Sequence, residues 1–298
     1  MKIKSFAATS RIVDREKDIA QIIDLFHHAE CTQVHIVYAE TGYGKSSFSA
    51  KLAKDHFFAD WNIINVKTMP QNVNYNVSEG EYLELIFTAL MKFFKAQGHS
   101  NFSFENYLTS NKNRILKEVF IDQSIDQFIS ANSLKESIKK SRLLKTGDFS
   151  LHSIINNISP VARCIKSDYI HYLFKKSHIL LIIDNIQNID NTSLKYLIEW
   201  INETKYKNQG FILEYTISDG YSLDSVENLQ RGISIAEVDV HLCRLEKMRD
   251  EYIADLLEAQ LNVHSPDIHF VINAKKHYKD YSEGNLWDLI DYARMYDD

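Results

Sequence analysis

One stretch, VHIVYAETGYGKSSFSAKL at residues 34–52, constrains the fold more than any other. Its first five residues are apolar and rich in β-branched and aromatic side chains, the pattern of a strand buried on both faces of a parallel sheet. Its last residues are good helix formers, with apolar positions at Phe48, Leu52 and the following Ala53. Between them Gly42 and Gly44 allow a tight turn. The same alternation continues along the chain. Strands are predicted at 61–66 (WNIINV), 179–184 (ILLIID), 211–217 (FILEYTI) and 233–240 (ISIAEVDV), and helices at 11–28 and 192–204. From residue 245 the pattern is helical, at 245–261, 266–278 and 284–296. The expected class is therefore α/β: a parallel sheet flanked by helices, with a small C-terminal helical lid.

Residues 68–177 show no strand pattern, while 81–94, 115–120, 134–144 and 161–174 have helical spacing. A structureless loop of that length does not suit a compact domain, so an inserted helical subdomain is expected. The domain plan is a core at 1–67 and 178–241, a helical insertion at 68–177 and a lid at 242–298. Nine glycines and three prolines in 298 residues argue for regular structure without long flexible linkers. The basic run KESIKKSRLLK at 135–145 reads as a solvated helix face in preference to a nucleic-acid contact. A net charge of −6 argues against a protein that coats nucleic acid, though a local basic groove stays open. Cys31, Cys164 and Cys243 are widely spaced with no CxxC pair, which fits neither a disulfide framework nor a zinc ribbon and suits a reducing cytosol. The twelve histidines form no HExxH, and none is assigned to metal. The N-terminus lacks a secretory apolar stretch, and the longest aliphatic run, 179–183, is too short for a bilayer, so a cytoplasmic protein without membrane contact is expected.

The loop AETGYGKS at 39–46 matches the Walker A pattern of P-loop NTPases in its final GKS, with Ala39 where the first glycine usually stands. Gly42 and Gly44 let the backbone curl so that its N–H groups turn inward toward phosphate oxygens. The helix that follows presents its positive end to the same anion. Lys45 supplies a point charge for the β- and γ-phosphates, and the Ser46 hydroxyl is a magnesium ligand. The nucleotide-binding set is Thr41, Gly42, Tyr43, Gly44, Lys45, Ser46 and Ser47; the side chains of Tyr38 and Tyr43 themselves read as packing or surface groups. Asp184, at the end of an apolar strand, is placed to hold Mg²⁺ through its water shell. Alone it would equally serve as a helix N-cap; beside the Walker A loop the metal role is preferred.

With these motifs in place, the chain resembles the STAND branch of the AAA+-related ATPases. DNIQNIDNTSL at 184–194 is similar to that group's Walker B region, and REKDI at 15–19 to the box that opens such modules. LCRL at 242–245 is similar to the start of the lid, and SEGNL at 282–286 to the GGNP motif within it. The four lie in the family's order across residues 11–296. The resemblance implies ATP/ADP and Mg²⁺ as cofactors, with Arg15 near the adenine. It further implies a nucleotide-gated switch in which ATP holds an assembled state and ADP a closed monomer. Effector and sensor parts are expected on separate polypeptides, or the chain is a piece of a longer one. A role in antiviral defence follows by analogy only. ATP over GTP rests on the resemblance and on the lack of an NKxD guanine-reading motif.

Asn185 stands where many active relatives carry a second acid; it can orient water but cannot accept its proton, so slow hydrolysis is expected. Glu214 lies on the strand that carries a γ-phosphate sensor in such proteins, and reads either as a substitute water-positioning acid or as a structural ion-pair partner. Thr216 is a second sensor candidate or an ordinary strand threonine. Arg231 is either a finger that reaches a neighbour's phosphate or a surface arginine at a helix end. Two other functions stand beside the switch: a DNA-associated AAA+ ATPase of origin-recognition or transposition-helper type, and a nucleotide-binding interaction module that never hydrolyses.

Overall fold

Five parallel strands, in the order Asn62–Val66, Ile179–Ile183, Gln209–Ile217, Gln33–Glu40 and Asp239–Arg244, form the sheet of the computed structural model, which describes residues 14–67, 78–111, 160–203, 209–218, 223–233, 238–261 and 268–295. Helix α1 (Glu16–His28) precedes β1 (Gln33–Glu40), which leads through the glycine turn into α2 (Lys45–Leu52) and then β2 (Asn62–Val66). After α3 (Glu81–Ala96) and α4 (Pro160–Lys176) come β3 (Ile179–Ile183), α5 (Asn191–Glu203), β4 (Gln209–Ile217), α6 (Leu223–Ile233) and β5 (Asp239–Arg244). Three helices close the order: α7 (Ile253–Leu261), α8 (Ile268–Asp280) and α9 (Leu286–Met295). The chain falls into two units, one of Met1–Asn76, Ser177–Ile189 and Leu197–Asp298, the other of Val77–Lys176 and Asp190–Tyr196.

In the first unit β1, β3 and β4 are central strands, and their near-continuous burial matches their apolar runs. Register sets the site. Val37 pairs with Glu214 and Ala39 with Thr216 across β1 and β4, while Ile183 pairs with Leu213 across β3 and β4. The C-terminal ends of the three strands thus gather the loop after Glu40, Asp184 after Ile183, and Glu214 with Thr216. That edge is where open parallel sheets bind ligands. Helix α1 buries Ile19, Ile22 and Phe26 at helical spacing, with acids in its first turn and histidines in its last. Phe26 meets Phe58 and Trp61 edge-on at centroid distances of 5.1 and 5.8 Å. Gly210 makes room for it: a Cβ there would lie 2.5 Å from the Phe26 ring and 2.9 Å from Leu180. Helices α7, α8 and α9 share a small core of Ile253, Leu257, Ala274, Tyr278, Leu289 and Ala293.

The second unit contains α3 and α4 and, among the described residues, no strand. Phe87, Phe104 and Tyr169 form its aromatic centre, Phe104 lying 4.9 Å from each of the other two rings. Asp190 accepts from the backbone N–H of Gly80 at 2.8 Å and of Ser193 at 2.9 Å, capping the starts of α3 and α5 with one carboxylate.

Three expectations need correction. The last strand is Asp239–Arg244, not residues 233–240, because Ile233 closes α6, where Val226 and Ile233 are buried two turns apart. A short apolar run does not by itself separate helix end from strand start. Residues 242–244 of LCRL are the end of β5, and the helix expected from 245 starts later, with a 3-10 turn at Asp250–Tyr252 and α7. Of the helix predicted at 11–28, residues 11–13 lie outside the described residues, Asp14 has φ 62°, Arg15 is not helical, and α1 begins at Glu16. The helices predicted at 115–120 and 134–144, and the basic run at 135–145, lie outside the described residues. No described helix is long and apolar enough to cross a membrane.

Candidate functional site

The turn between β1 and α2 is closed on itself. Gly42 and Gly44 both have φ 84°, a left-handed conformation that costs other residues roughly 1–2 kcal/mol. The Lys45 ammonium donates to the carbonyl oxygens of Ala39 at 3.1 Å and Glu40 at 2.9 Å, so the side chain spans the base of its own loop. Lys45 is buried, and burial pulls its pKa down to about 8 against the opposing charges of Glu214, Asp184 and Glu40.

Beside it lie two carboxyl groups. Ser46 Oγ donates to Glu214 Oε2 at 2.8 Å, and the Glu214 side chain is only 2% exposed. Burial, then the charge of Asp184, push the Glu214 pKa up to about 7, while the hydroxyls of Ser49 and Ser46 and the charge of Lys45 act the other way. Asp184 is raised as well, chiefly by burial, with the Asn185 N–H, a hydrogen bond to Glu214 and the charges of Lys45 and Lys67 opposing. The buried Glu214, the half-buried Asp184 and the Ser46 hydroxyl form a set of hard oxygen donors; the two carboxyl groups repel each other when both are charged, and the Lys45 ammonium offsets part of that repulsion. That donor chemistry fits a small divalent cation such as Mg²⁺.

The next residue, Asn185, takes a left-handed conformation (φ 51°) and turns the chain into the 3-10 turn Ile186–Asn188. Asn and Asp accept that conformation more readily than other side chains. Gln187 Nε2 donates to Asn185 Oδ1 at 3.2 Å, the Thr216 hydroxyl donates to the same oxygen at 3.3 Å, and the Thr216 backbone N–H donates to Gln187 Oε1 at 3.0 Å. Composition gives no hint of Gln187, a polar residue in a short turn.

From the other side the turn 282–286 touches the loop. The N–H of Leu286 donates to the Gly42 carbonyl at 3.1 Å and the Tyr43 hydroxyl donates to the Glu283 carbonyl at 3.3 Å. A Cβ on Gly42 would sit 2.0 Å from Asn285 Oδ1. Tyr43 is buried in the core, and burial pushes its pKa up to about 12. Asn285 escapes a composition-based search, although SEGNL is the segment that contains it.

The remaining candidates fall in different places. Thr41, Ser46 and Ser47 are exposed along the loop and first turn of α2. Arg15 is buried; its guanidinium donates to the Glu246 carbonyl and lies 4.0 Å from Asp18, tying the start of α1 to the segment after β5. Arg231 is not gathered with the others: on the exposed face of α6 it pairs with Glu227 one turn earlier at 3.0 Å. Among the described residues no group of three or more His, Cys, Asp or Glu side chains is arranged to hold a metal.

No protein-family model matches the chain, and no curated protein matches it. Solved structures do. The ORC1 protein of Aeropyrum pernix, solved in complex with DNA, is similar with 10% identity over 96% of this chain and a TM-score of 0.50. This chain spans 60% of the length of that ORC1 chain. Domain III of the Thermotoga maritima replication initiation protein DnaA (11% identity, 96% of this chain, 84% of that one) and C. elegans PCH-2 (9%, 97% and 70%) match at TM-scores of 0.44 and 0.40. What the likeness to ORC1 shows is the fold: an α/β architecture built on a five-stranded parallel sheet with C-terminal helices.

Proposed function

We propose that the chain binds ATP as its magnesium complex and acts as a nucleotide-gated switch of STAND type, with ATP favouring self-association or capture of a separate effector or sensor protein. The observation that carries this reading is Lys45, held inside its own curled loop and bordered by Ser46, Asp184 and Glu214. The loop amides and the start of α2 would hold the phosphates, Lys45 would exchange its two carbonyls for phosphate oxygens, and Ser46 with Asp184 would hold the metal. Mg²⁺, when bound, neutralises phosphate charge. The STAND assignment is supported by the four ordered motifs and by the AAA+-related fold; a place in antiviral defence signalling is the biological setting those motifs suggest.

Titration calorimetry with Mg·ATP tests the reading. Lys45→Ala is expected to lose binding while its circular dichroism and melting curve match the parent, and unchanged affinity would overturn the assignment. Asp184→Ala is expected to weaken the magnesium dependence more than the binding. Light scattering should show the particle grow with ATP and shrink with ADP. The likeness to ORC1 favours a second reading, a DNA-associated ATPase; DNA binding that falls steeply with salt would support it over the switch.

A further inference from the structure

Glu214 is an acid in surplus. It lies on β4, between β3 and β1 in the sheet and opposite Val37, and is only 2% exposed. Lys45 is buried beside it, and that one ammonium is set against the charges of Glu214, Asp184 and Glu40. Lys67, the other cation that bears on Asp184, is exposed. One buried ammonium therefore answers two carboxyl groups that repel each other. Water screens Glu214 poorly at that depth, and a buried charge without full compensation is costly. The Ser46 hydroxyl donates to Glu214 Oε2 at 2.8 Å, which ties the carboxylate to the first turn of α2. That turn is where the phosphates are seated in the ATP-binding reading. A triphosphate that arrives there without a cation adds negative charge beside the surplus acid.

We infer that Glu214 is a specificity-determining residue that turns away metal-free ATP, so that the site takes the nucleotide only as its complex with a divalent cation. The inference rests on the ATP-binding reading above and deepens it. With the cation bound, the charge that Lys45 alone leaves uncancelled is offset. At an effective dielectric of about 20, a carboxylate and a phosphate charge roughly 8 Å apart repel by enough to weaken binding on the order of tenfold or more. A site of this kind responds to the magnesium complex and not to total ATP, and free polyphosphates leave it empty.

Calorimetry on the full chain at pH 8 tests this, comparing ATP with Mg²⁺ against ATP with EDTA, and adding tripolyphosphate in EDTA as a probe without a base. The parent is expected to bind Mg·ATP and to bind both metal-free anions far more weakly. Glu214→Gln keeps an acceptor for Ser46 and removes the charge. It should gain affinity for metal-free ATP and for tripolyphosphate on the order of tenfold, with no gain for Mg·ATP. Glu214→Leu removes the charge and the acceptor together and should gain in the same direction, so the result does not hang on one variant. A role confined to holding Ser46 gives the opposite pattern: Gln like the parent, and Leu weaker for both forms of the nucleotide. That pattern would overturn the inference, as would a parent that binds ATP equally with and without Mg²⁺. Either result, with Mg·ATP still bound by the parent, leaves the ATP-binding reading standing; a parent that binds neither form overturns both.

Discussion

Ser46, at the start of α2, and Glu214, on β4, are joined by a 2.8 Å hydrogen bond across 168 residues of sequence. The bond holds the start of α2 onto the sheet through a buried acid. Glu214→Ala removes the acceptor for the Ser46 hydroxyl and is expected to cost roughly 0.5–1.5 kcal/mol of stability, the net worth of a typical hydrogen bond. Glu214→Gln keeps an acceptor oxygen and removes the repulsion with Asp184, so its stability should match or exceed the parent's. Urea denaturation of the three proteins at neutral pH checks the order; Ala and Gln variants of equal stability would contradict it.

The contact between Gly42 and Asn285 predicts a coupling. Gly42→Ala must carry its left-handed φ of 84° and also displace the Asn285 carboxamide, whose Oδ1 would be 2.0 Å from the new carbon. In an Asn285→Ala background the second burden largely vanishes while the first, roughly 1–2 kcal/mol, remains. Asn285→Ala alone also loses the 2.9 Å bond from the Trp287 N–H, a helix cap worth about 1 kcal/mol. A double-mutant cycle by denaturation should give the pair a coupling of about 1 kcal/mol or more. Simple additivity would show that the turn does not rest on the loop in solution.

His35 predicts an acid-sensitive core. It is wholly buried on β1, stacked on His241 at 5.0 Å, with neither ring nitrogen hydrogen-bonded. Burial, and then His241, pull its pKa from 6.5 down to about 3. The folded value lies below the unfolded one, so as pH falls the unfolded chain takes the proton first. The stability from a neutral His35 is complete above pH 6.5 and is lost progressively as pH drops toward 3. Its slope approaches about 1.4 kcal/mol per pH unit in that window. Denaturation of the parent and of His35→Leu between pH 7 and 4 should show the variant's stability falling less steeply; parallel curves would refute the assignment.

The parts of this fold that were legible in the sequence are those whose signal is local. ILLII at 179–183 is an unbroken apolar run and forms β3 as expected, and the glycine turn between VHIVY and a helix follows from residue types alone. The last strand was misplaced because Ile233 fits a two-turn helical spacing and a strand equally well. Lys45, Ser46 and Asp184 were expected as one group, while Glu214 was left between a water-positioning acid and an ion-pair partner; the four lie together, with Ser46 bonded to Glu214. Sequence could not reveal that Gln187 faces Thr216 or that Asn285 covers Gly42, because these contacts depend on strand register and on a turn 240 residues from the loop. Arg231 illustrates the converse: a suggestive position in the chain ended on an open helix face.

The amide at the head of α9 is fastened to Gly42, so the last helix is pivoted on the β1–α2 turn rather than merely lying near it. At 1.5 Å per residue that ten-residue helix is about 15 Å long, and a tilt of about 10° at the pivot sweeps its tip through about 3 Å. Met295, exposed at that tip, is where a small adjustment around Gly42 would be felt most strongly. The geometry works as a lever, with its short arm in the glycine turn and its long arm at the surface.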